Sequence, residues 1–484
     1  MDISMDFSSI NSYREVYSGE KVCKLGADAV IPDTYDDIER LLGTEFSCRI
    51  ISKDALFGKV TVSGELEAVS LFSTENSDKI ASLRTVMPFS ADFASEDIDS
   101  ASFPVADIRI IASDYRELNP RKLGINAAVS IFLSVYNKSE LSFPTAPGEA
   151  DKAFFKTEQV SVNFVSAVSE KLSTLDDERE TDAVSVLSGN TQYDFDSFEL
   201  IGGRLIVKSH AHSRVVLLKE SGEVMLSEYD IPFSQLFDCD EGTEVSDCEL
   251  TVTPAGEYYE LTDGILSTEL RVVSQLVCHE KKEISCVTDA YACGCEYELK
   301  TNTLPIASEI KRFIESKTAS LSFDLPENSD EVIISSVKFG KSGLSGGVVT
   351  VPVVLNALFS DKSKRVYPIR LRDSIEFSGV ECECFEAVLS SAKCAVISGK
   401  AQFELQTELR CRSINTRDIE LISGITLKDE CKKAKPALYI VRAENGDIWS
   451  IAKKYGADQR RIGDINSISD GDSISGKMLL IPTT

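Results

Sequence analysis

The sequence predicts a multidomain, mainly β protein: three antiparallel β-sandwich or barrel-like repeats, then a small βααβ module. Three observations carry this. The chain has 484 residues, more than one hydrophobic core accommodates. Strands alternating with period two and opened by glycine turns recur at a fixed interval. Near the carboxyl end the apolar period lengthens to that of a helix.

The repeated strands come first. LFGKVTVSGELEAVSLF, LIGGRLIVKSHAHSRVVLL and LSGGVVTVPVVLNALF are led by Leu56, Leu200 and Leu344, an equal spacing of 144 residues. Val60, Val62, Leu66 and Ala68 share one face of the first, and Leu205, Val207, Val215 and Leu217 one face of the second. Val349, Val351, Val353, Leu355 and Phe359 make the apolar face of the third. Such strands bury one face on a core. A second element follows each: VMPFSADF with Pro88, DIPFSQLF with Pro232, and YPIRLRDSIEF, where Arg370 is read in the proline's place. A third alternating element opens at Gly124, Gly264 and Gly399. The repeats are placed at 17–145, 160–300 and 318–428, each about 110 to 140 residues, the size of a sandwich or partly closed barrel.

Between these units the expectations are helical or open. Ile306, Ile310, Phe313 and Ile314 predict a helix over 305–316, and Phe164, Val165, Val168 and Leu172 are compatible with another. The acidic run Asp176 to Asp182 reads as a solvated linker, and Lys432 to Lys435 as a tether.

The module at 437–484 reads YIVRAENGDIWSIAKKYGADQRRIGDINSISDGDSISGKMLLIP from Tyr439 and holds Trp449, the one tryptophan. A strand from Leu438 to Val441 leads into a helix carrying Ile448, Ile451, Ala452 and Tyr455. Gly456 stands where that helix stops, a second runs from Arg460 to Ile465, and Leu479 to Ile481 is a strand closed by Pro482.

Tyr439, Gly446-Asp447, Trp449-Ser450-Ile451-Ala452-Lys453-Lys454-Tyr455, Asn466 and Gly476 through Pro482 resemble the signature of the LysM module, known for gripping N-acetylglucosamine chains. The three repeated units before it resemble the SPOCS domain of bacterial spore-coat proteins. The whole chain, from about residue 17, is similar to the SipL group of spore morphogenetic proteins. The third unit departs from the pattern at its proline position.

The resemblance implies a protein of the mother-cell cytoplasm, recruited to the forespore surface as a coat-assembly scaffold, with the LysM end docking on the spore-coat ATPase. The groove for a partner or glycan would be formed by Asn445, Gly446, Asp447 and Ile448 in the first loop and Asn466, Ser467 and Ile468 in the second. The family's first loop reads Gly-Asp-Thr-Leu-Trp; aligned on Trp449, Asp447 takes the threonine's place, and aligned on Gly446-Asp447 the threonine is deleted. A glycan site built on that hydroxyl loses specificity without it. Protein docking is therefore favoured, and a GlcNAc-containing glycan (peptidoglycan or chitooligosaccharide) is the alternative. Trp449 is read as core.

Charge and composition narrow the rest. The net charge is −27, while residues 437–484 hold six basic and six acidic side chains, so the body carries the excess. An acidic body repels phosphate backbones and anionic lipid, so nucleic acid is not expected as a partner. MDISMDFSSINSYREV lacks the basic and apolar regions of a secretory signal, and no membrane span is expected. Thirteen scattered cysteines suit a reducing compartment, and Cys293/Cys295 and Cys382/Cys384 are too closely spaced for a zinc knuckle.

Catalysis, cofactor and metal are not expected. His210 and His212 share a strand face with Lys208 and Arg214 and are read as solvated; His279 is the remaining histidine. Gly340-Lys341-Ser342 lacks the leading glycine of a phosphate loop and precedes a strand.

Overall fold

A computed structural model describes residues 2–75, 80–147, 153–239, 244–325, 329–361, 366–382, 384–428, 437–443, 447–468 and 474–483. It is mainly β, built from antiparallel sheets, one of them long and curled. The strands fall into three successive runs. The first comprises β2 (Asp6–Val30), β3 (Ile38–Leu56), β4 (Lys59–Thr74), β5 (Ile80–Ala94), β6 (Phe103–Asn119) and β7 (Lys122–Thr145), preceded by a short β1 (Asp2–Ser4). The second comprises β8 (Ala153–Glu180), β9 (Ala183–Ile201), β10 (Arg204–Lys219), β11 (Val224–Asp238), β12 (Val245–Thr262) and β13 (Ile265–Ala292). The third comprises β14 (Tyr297–Asp324), β15 (Ser329–Phe339), β16 (Gly343–Ser345), β17 (Val348–Asp361), β18 (Val366–Ser378), β19 (Cys384–Ile397) and β20 (Lys400–Leu427).

The same pairings occur in each run. Its long first strand pairs with its last: β2 with β7, β8 with β13, β14 with β20. The last also pairs with the strand before it, and the strands between form a separate sheet. Alternation explains why the two sheets face each other. Val60, Val62, Leu66 and Ala68 of β4 are fully buried, as are Leu205, Val215 and Leu217 of β10 and Val349, Val351 and Phe359 of β17. In the first run they pack with Phe93, Val129 and Ile131. Each such side chain contributes about 1.5–3 kcal/mol by leaving water. Gly64 is required here because it lies opposite Phe89, whose ring would stand 2.4 Å from an added Cβ.

Several cores join the runs, and two of them are large. Leu42, Leu71 and Ile80 meet Leu187, Val216 and Val224 of the second run and Ile334 and Leu358 of the third. Elsewhere the long hairpins extend past their own sheets and bury Phe143, Val160, Phe164, Ile284, Ile306 and Leu421 together. Polar stitches accompany them: Asn163 Nδ2 donates to Ala307 O at 3.2 Å, and the Gln275 amide pairs with both Ala106 N and Ala106 O at 2.8 Å.

The long first strands correct the helical expectations. Residues 305–316 lie within β14, paired from Ile306↔Arg417 to Ser316↔Glu408, and Ile314 is exposed. Phe164, Val165, Val168 and Leu172 lie in β8. There Phe164 belongs to the hairpin core and Val165 packs near Tyr136 and Val277, so burial on both faces breaks the period-two signature. Asp176 to Glu180 are no linker; they pair with Ile265 to Glu269 and finish β8. Ladder hydrogen bonds to a long partner override a weak local pattern.

Register also corrects two alignments. The hairpin turns place Leu56 opposite Lys59, Ile201 opposite Arg204 and Ser345 opposite Val348, so Leu56 corresponds to Ile201 and Ser345, one residue beyond Leu200 and Leu344. Counted from the same turns, Pro88 faces Glu65, Pro232 faces His210, and Arg372 faces Val354. Arg372, not Arg370, occupies the prolines' position, so Ser374 and Phe377 align with Ser90 and Phe93. β17 is shorter than its counterparts, which hid this alignment.

The chain ends in β21 (Ala437–Arg442), α1 (Ile448–Tyr455), α2 (Gln459–Asn466) and β22 (Met478–Thr483), the two strands pairing antiparallel. The tether read at Lys432 to Lys435 lies outside the described residues.

Candidate functional site

The terminal module begins from its caps. Asp447 is extended and accepts hydrogen bonds from Ser450 N at 2.9 Å and Ser450 Oγ at 2.5 Å, so it starts α1 as an N-cap. Those bonds hold its carboxyl below the usual range; burial opposes them, and Lys156 of β8, 3.9 Å away, assists. Gly456 ends α1 in the left-handed region at φ 57° and returns its N–H to the last turn. Asp458 caps α2 through Arg460 N at 2.8 Å.

The predicted groove residues separate into four groups. Asn445 and Gly446 lie outside the described residues. Asn466 uses its amide within the module, donating to Ile462 O at 2.8 Å and Leu480 O at 2.7 Å and accepting from Leu480 N at 2.8 Å. It therefore fastens α2 to β22. Ile448 and Ile468 are half-buried against Ala443, Ile474 and Leu479. Ser467 is exposed and left-handed at φ 53°, capping α2. Among the described groove residues, Asp447 and Ser467 present polar side chains outward, and Asp447 is already engaged as a cap.

Trp449 is buried, but its burial comes partly from the body. Its ring meets Tyr291 of β13 edge-on at 4.9 Å, and Tyr291 stacks on Phe154 of β8 at 5.1 Å. Trp449 Nε1 donates to Asp289 Oδ2 at 2.8 Å, and Lys453 Nζ to Asp289 Oδ1 at 2.5 Å. Burial raises the Asp289 carboxyl, but the bonds from Lys453 and Trp449 outweigh it and leave it lowered. Tyr291 Oη donates to Ala457 O at 3.0 Å. The module is thus seated on the end of the second hairpin by Phe154, Asp289 and Tyr291. Sequence reading missed these three because each lies inside a strand with no local motif. Asp289 adjoins a bulge in the β8–β13 ladder, which sequence does not reveal.

The other side of the module is bare. In the β21–β22 ribbon, Leu479 and Ile481 turn inward and are buried, while Leu438, Ile440 and Met478 turn outward and are 60%, 65% and 61% exposed. Exposed Arg442, opposite Met478, shares that face, so its apolar side chains stand beside one cation.

A second candidate lies among the three runs, a cavity of about 470 Å³. Arg109 spans it, donating to Asp107 at 2.7 Å and Glu386 at 2.8 Å. Burial raises the Glu386 carboxyl despite Arg109, and burial lowers the Lys338 ammonium, which donates to Phe46 O at 3.3 Å. Its mixed, largely paired charges define no ligand.

The remaining motifs take structural roles. His210 and His212 are partly exposed, and each pairs through Nδ1 with a carboxylate, Asp196 and Asp230, at 2.8 Å. Lys208 pairs with Glu199 and Arg214 with Glu228, so the face read as solvated is a cross-strand ion-pair ladder. His279 is buried beside Glu249 at 2.9 Å, with Arg412 at 2.7 Å on the same carboxylate. Gly340 N donates to Pro352 O at 2.8 Å, β16 follows, and Lys341 pairs with Glu20, so this is a strand connection.

Among the described residues no group of three His, Cys, Asp or Glu could hold a metal. Cys295 is disulfide-bonded, which departs from the reducing-compartment reading of the cysteines. Cys293 is a free thiol near the module, pushed up to about 11 by burial. No helix among the described residues is long and apolar enough to cross a membrane. No family model, no curated protein and no solved structure matches this chain.

Proposed function

We propose that the protein is a non-enzymatic scaffold of the spore coat, with three SPOCS-type β units and a LysM-type module that docks on a coat protein at the forespore surface. The apolar ribbon face of Leu438, Ile440 and Met478 carries this reading. An unpartnered face of that kind fits a protein surface better than a sugar, which is bound through convergent hydrogen-bonding groups. Three further observations support it. The threonine hydroxyl of the family's first loop is missing in either alignment, and Asp447 beside its place is committed to capping. The Asn466 amide is engaged internally, and Trp449 faces the body. The family resemblance suggests the coat ATPase as partner and the mother-cell cytoplasm as the compartment.

The test is capture of the purified coat ATPase by the full chain, compared with Leu438→Asp/Ile440→Asp. Loss of capture with retained Trp449 burial is the expected result. Undiminished capture would remove the ribbon from the argument. The second reading, binding of GlcNAc-containing glycan, is kept by the strand–helix–helix–strand topology. Micromolar binding of chitooligosaccharide by the unmodified chain would favour it.

A further inference from the structure

On the seam between the first two runs, β3 and β4 face β9 and β12 across a crevice of about 310 Å³. Glu257 stands in the wall between this crevice and the 470 Å³ cavity, and its carboxylate accepts from Tyr193 Oη, on the cavity side, at 3.0 Å. The arginines of the crevice are committed to other acids: Arg49 to Glu65 at 2.7 Å, and Arg84 to Glu67. None of the crevice's own cations pairs with Glu257. Glu257 is half-buried, and a carboxylate partly withdrawn from water without a cation is costly to keep ionised. Burial pushes Glu257 up to about 7, against the bonds from Tyr193 and the Thr191 backbone; Glu67 raises it further and Arg49 lowers it.

The fold does not demand this acid. Glu257 faces Leu270 in the β12–β13 ladder; at the corresponding register, opposite Ala127 and Leu405, stand Ser113 and Ala392. An acid needed for packing would recur at those positions. The wall beside it is aromatic. Tyr259 lies over Gly189, where an added Cβ would stand 2.4 Å from the ring, and bonds through Oη to Thr191 Oγ1 at 2.6 Å. On the neighbouring Tyr258 the protein's own Arg271 guanidinium already lies 5.2 Å above the ring. Planar guanidinium groups stack on such faces and pair with carboxylates, which an ammonium does less well.

We propose that this crevice binds an arginine side chain of a protein partner, its guanidinium pairing with Glu257 and its stem lying along Tyr259. The strongly acidic body would draw such a partner in. The inference is independent of the terminal module and survives if that module proves to bind glycan.

Calorimetric titration of the full chain with n-butylguanidinium, and with neutral n-butylurea as its isostere, tests it. The cation is expected to bind and the urea not. Because the ionised carboxylate is the binding form, affinity should rise about tenfold between pH 6 and pH 8, following the ionised fraction of a group near 7. Glu257→Gln keeps an acceptor for Tyr193 and should abolish both the binding and its pH dependence. Equal binding of the urea, an affinity unchanged with pH, or retained binding in Glu257→Gln would each overturn the proposal. The pH series on the unmodified chain decides the matter even if the variant fails to fold.

Discussion

The β body and the terminal module solve the same problem at different scales. In the body, each run closes two sheets over a dedicated core, and pairings between distant strands set the architecture. The module has few buried side chains of its own and borrows Phe154 and Tyr291 from the second hairpin. Small domains bury too little surface to be robust alone, so a seat on a larger body compensates.

This contrast can be broken at several points. The largest effect is expected at Phe93, fully buried between the sheets of the first run. Phe93→Ala should cost about 3–5 kcal/mol in urea unfolding followed by far-ultraviolet circular dichroism. Trp449 emission should stay unchanged until the body melts.

Next comes Asp289→Ala, which leaves Trp449 Nε1 and Lys453 without their shared acceptor and should cost about 1–3 kcal/mol. The expected readout is a red-shifted, more quenchable Trp449 with body circular dichroism unaltered; a blue emission maximum in the variant would show that the module is rigid without its seat. The same contact has a pH signature. The Asp289 carboxyl is lowered in the folded protein, so its contribution is present above the unfolded value of 3.8 and is lost as pH falls through the still lower folded value. Trp449 emission should therefore redden only in strong acid.

Glu257 has the opposite sign. Its folded value, raised to about 7 from 4.5, means the folded state holds an extra proton between those values, so stability falls as pH rises through that window. Glu257→Gln should flatten this slope and be more stable than the unmodified chain at pH 8 by about 1–3 kcal/mol in thermal unfolding. The smallest effect is expected within the module. Gly456→Ala at φ 57° should cost about 1 kcal/mol, read as earlier Trp449 exposure in urea.

Legibility followed the same division. Within single strands the alternation in the sequence named the buried faces correctly, from Val60 to Phe359, because period two depends only on local geometry. The module's strands and helices were also legible, since their apolar spacing and the Gly456 stop are local signals. What escaped was set by distant partners. The strand at 305–316 exists because β20 pairs with it, and a four-residue apolar pattern gave a helix instead. Arg370 was aligned with the prolines because the shortening of β17 is visible only through register. At the candidate site, the Gly456 stop and the missing hydroxyl were readable. The Asp289–Tyr291 seat and the Glu257 crevice were not, because each joins elements far apart in the chain.

One contact at the body's margin bears on how the chain is made. β1 pairs with the end of β20, Asp2 opposite Thr426 and Ser4 opposite Gly424. On a ribosome the earliest of these residues must wait, unmatched, until the third run has left the tunnel. Closing so large a loop adds little to the equilibrium cost but delays the event. That edge of β20 is then sheltered by residues made long before it. Nascent chains stalled before residue 424 would leave that seam open for a neighbouring polysome product to occupy.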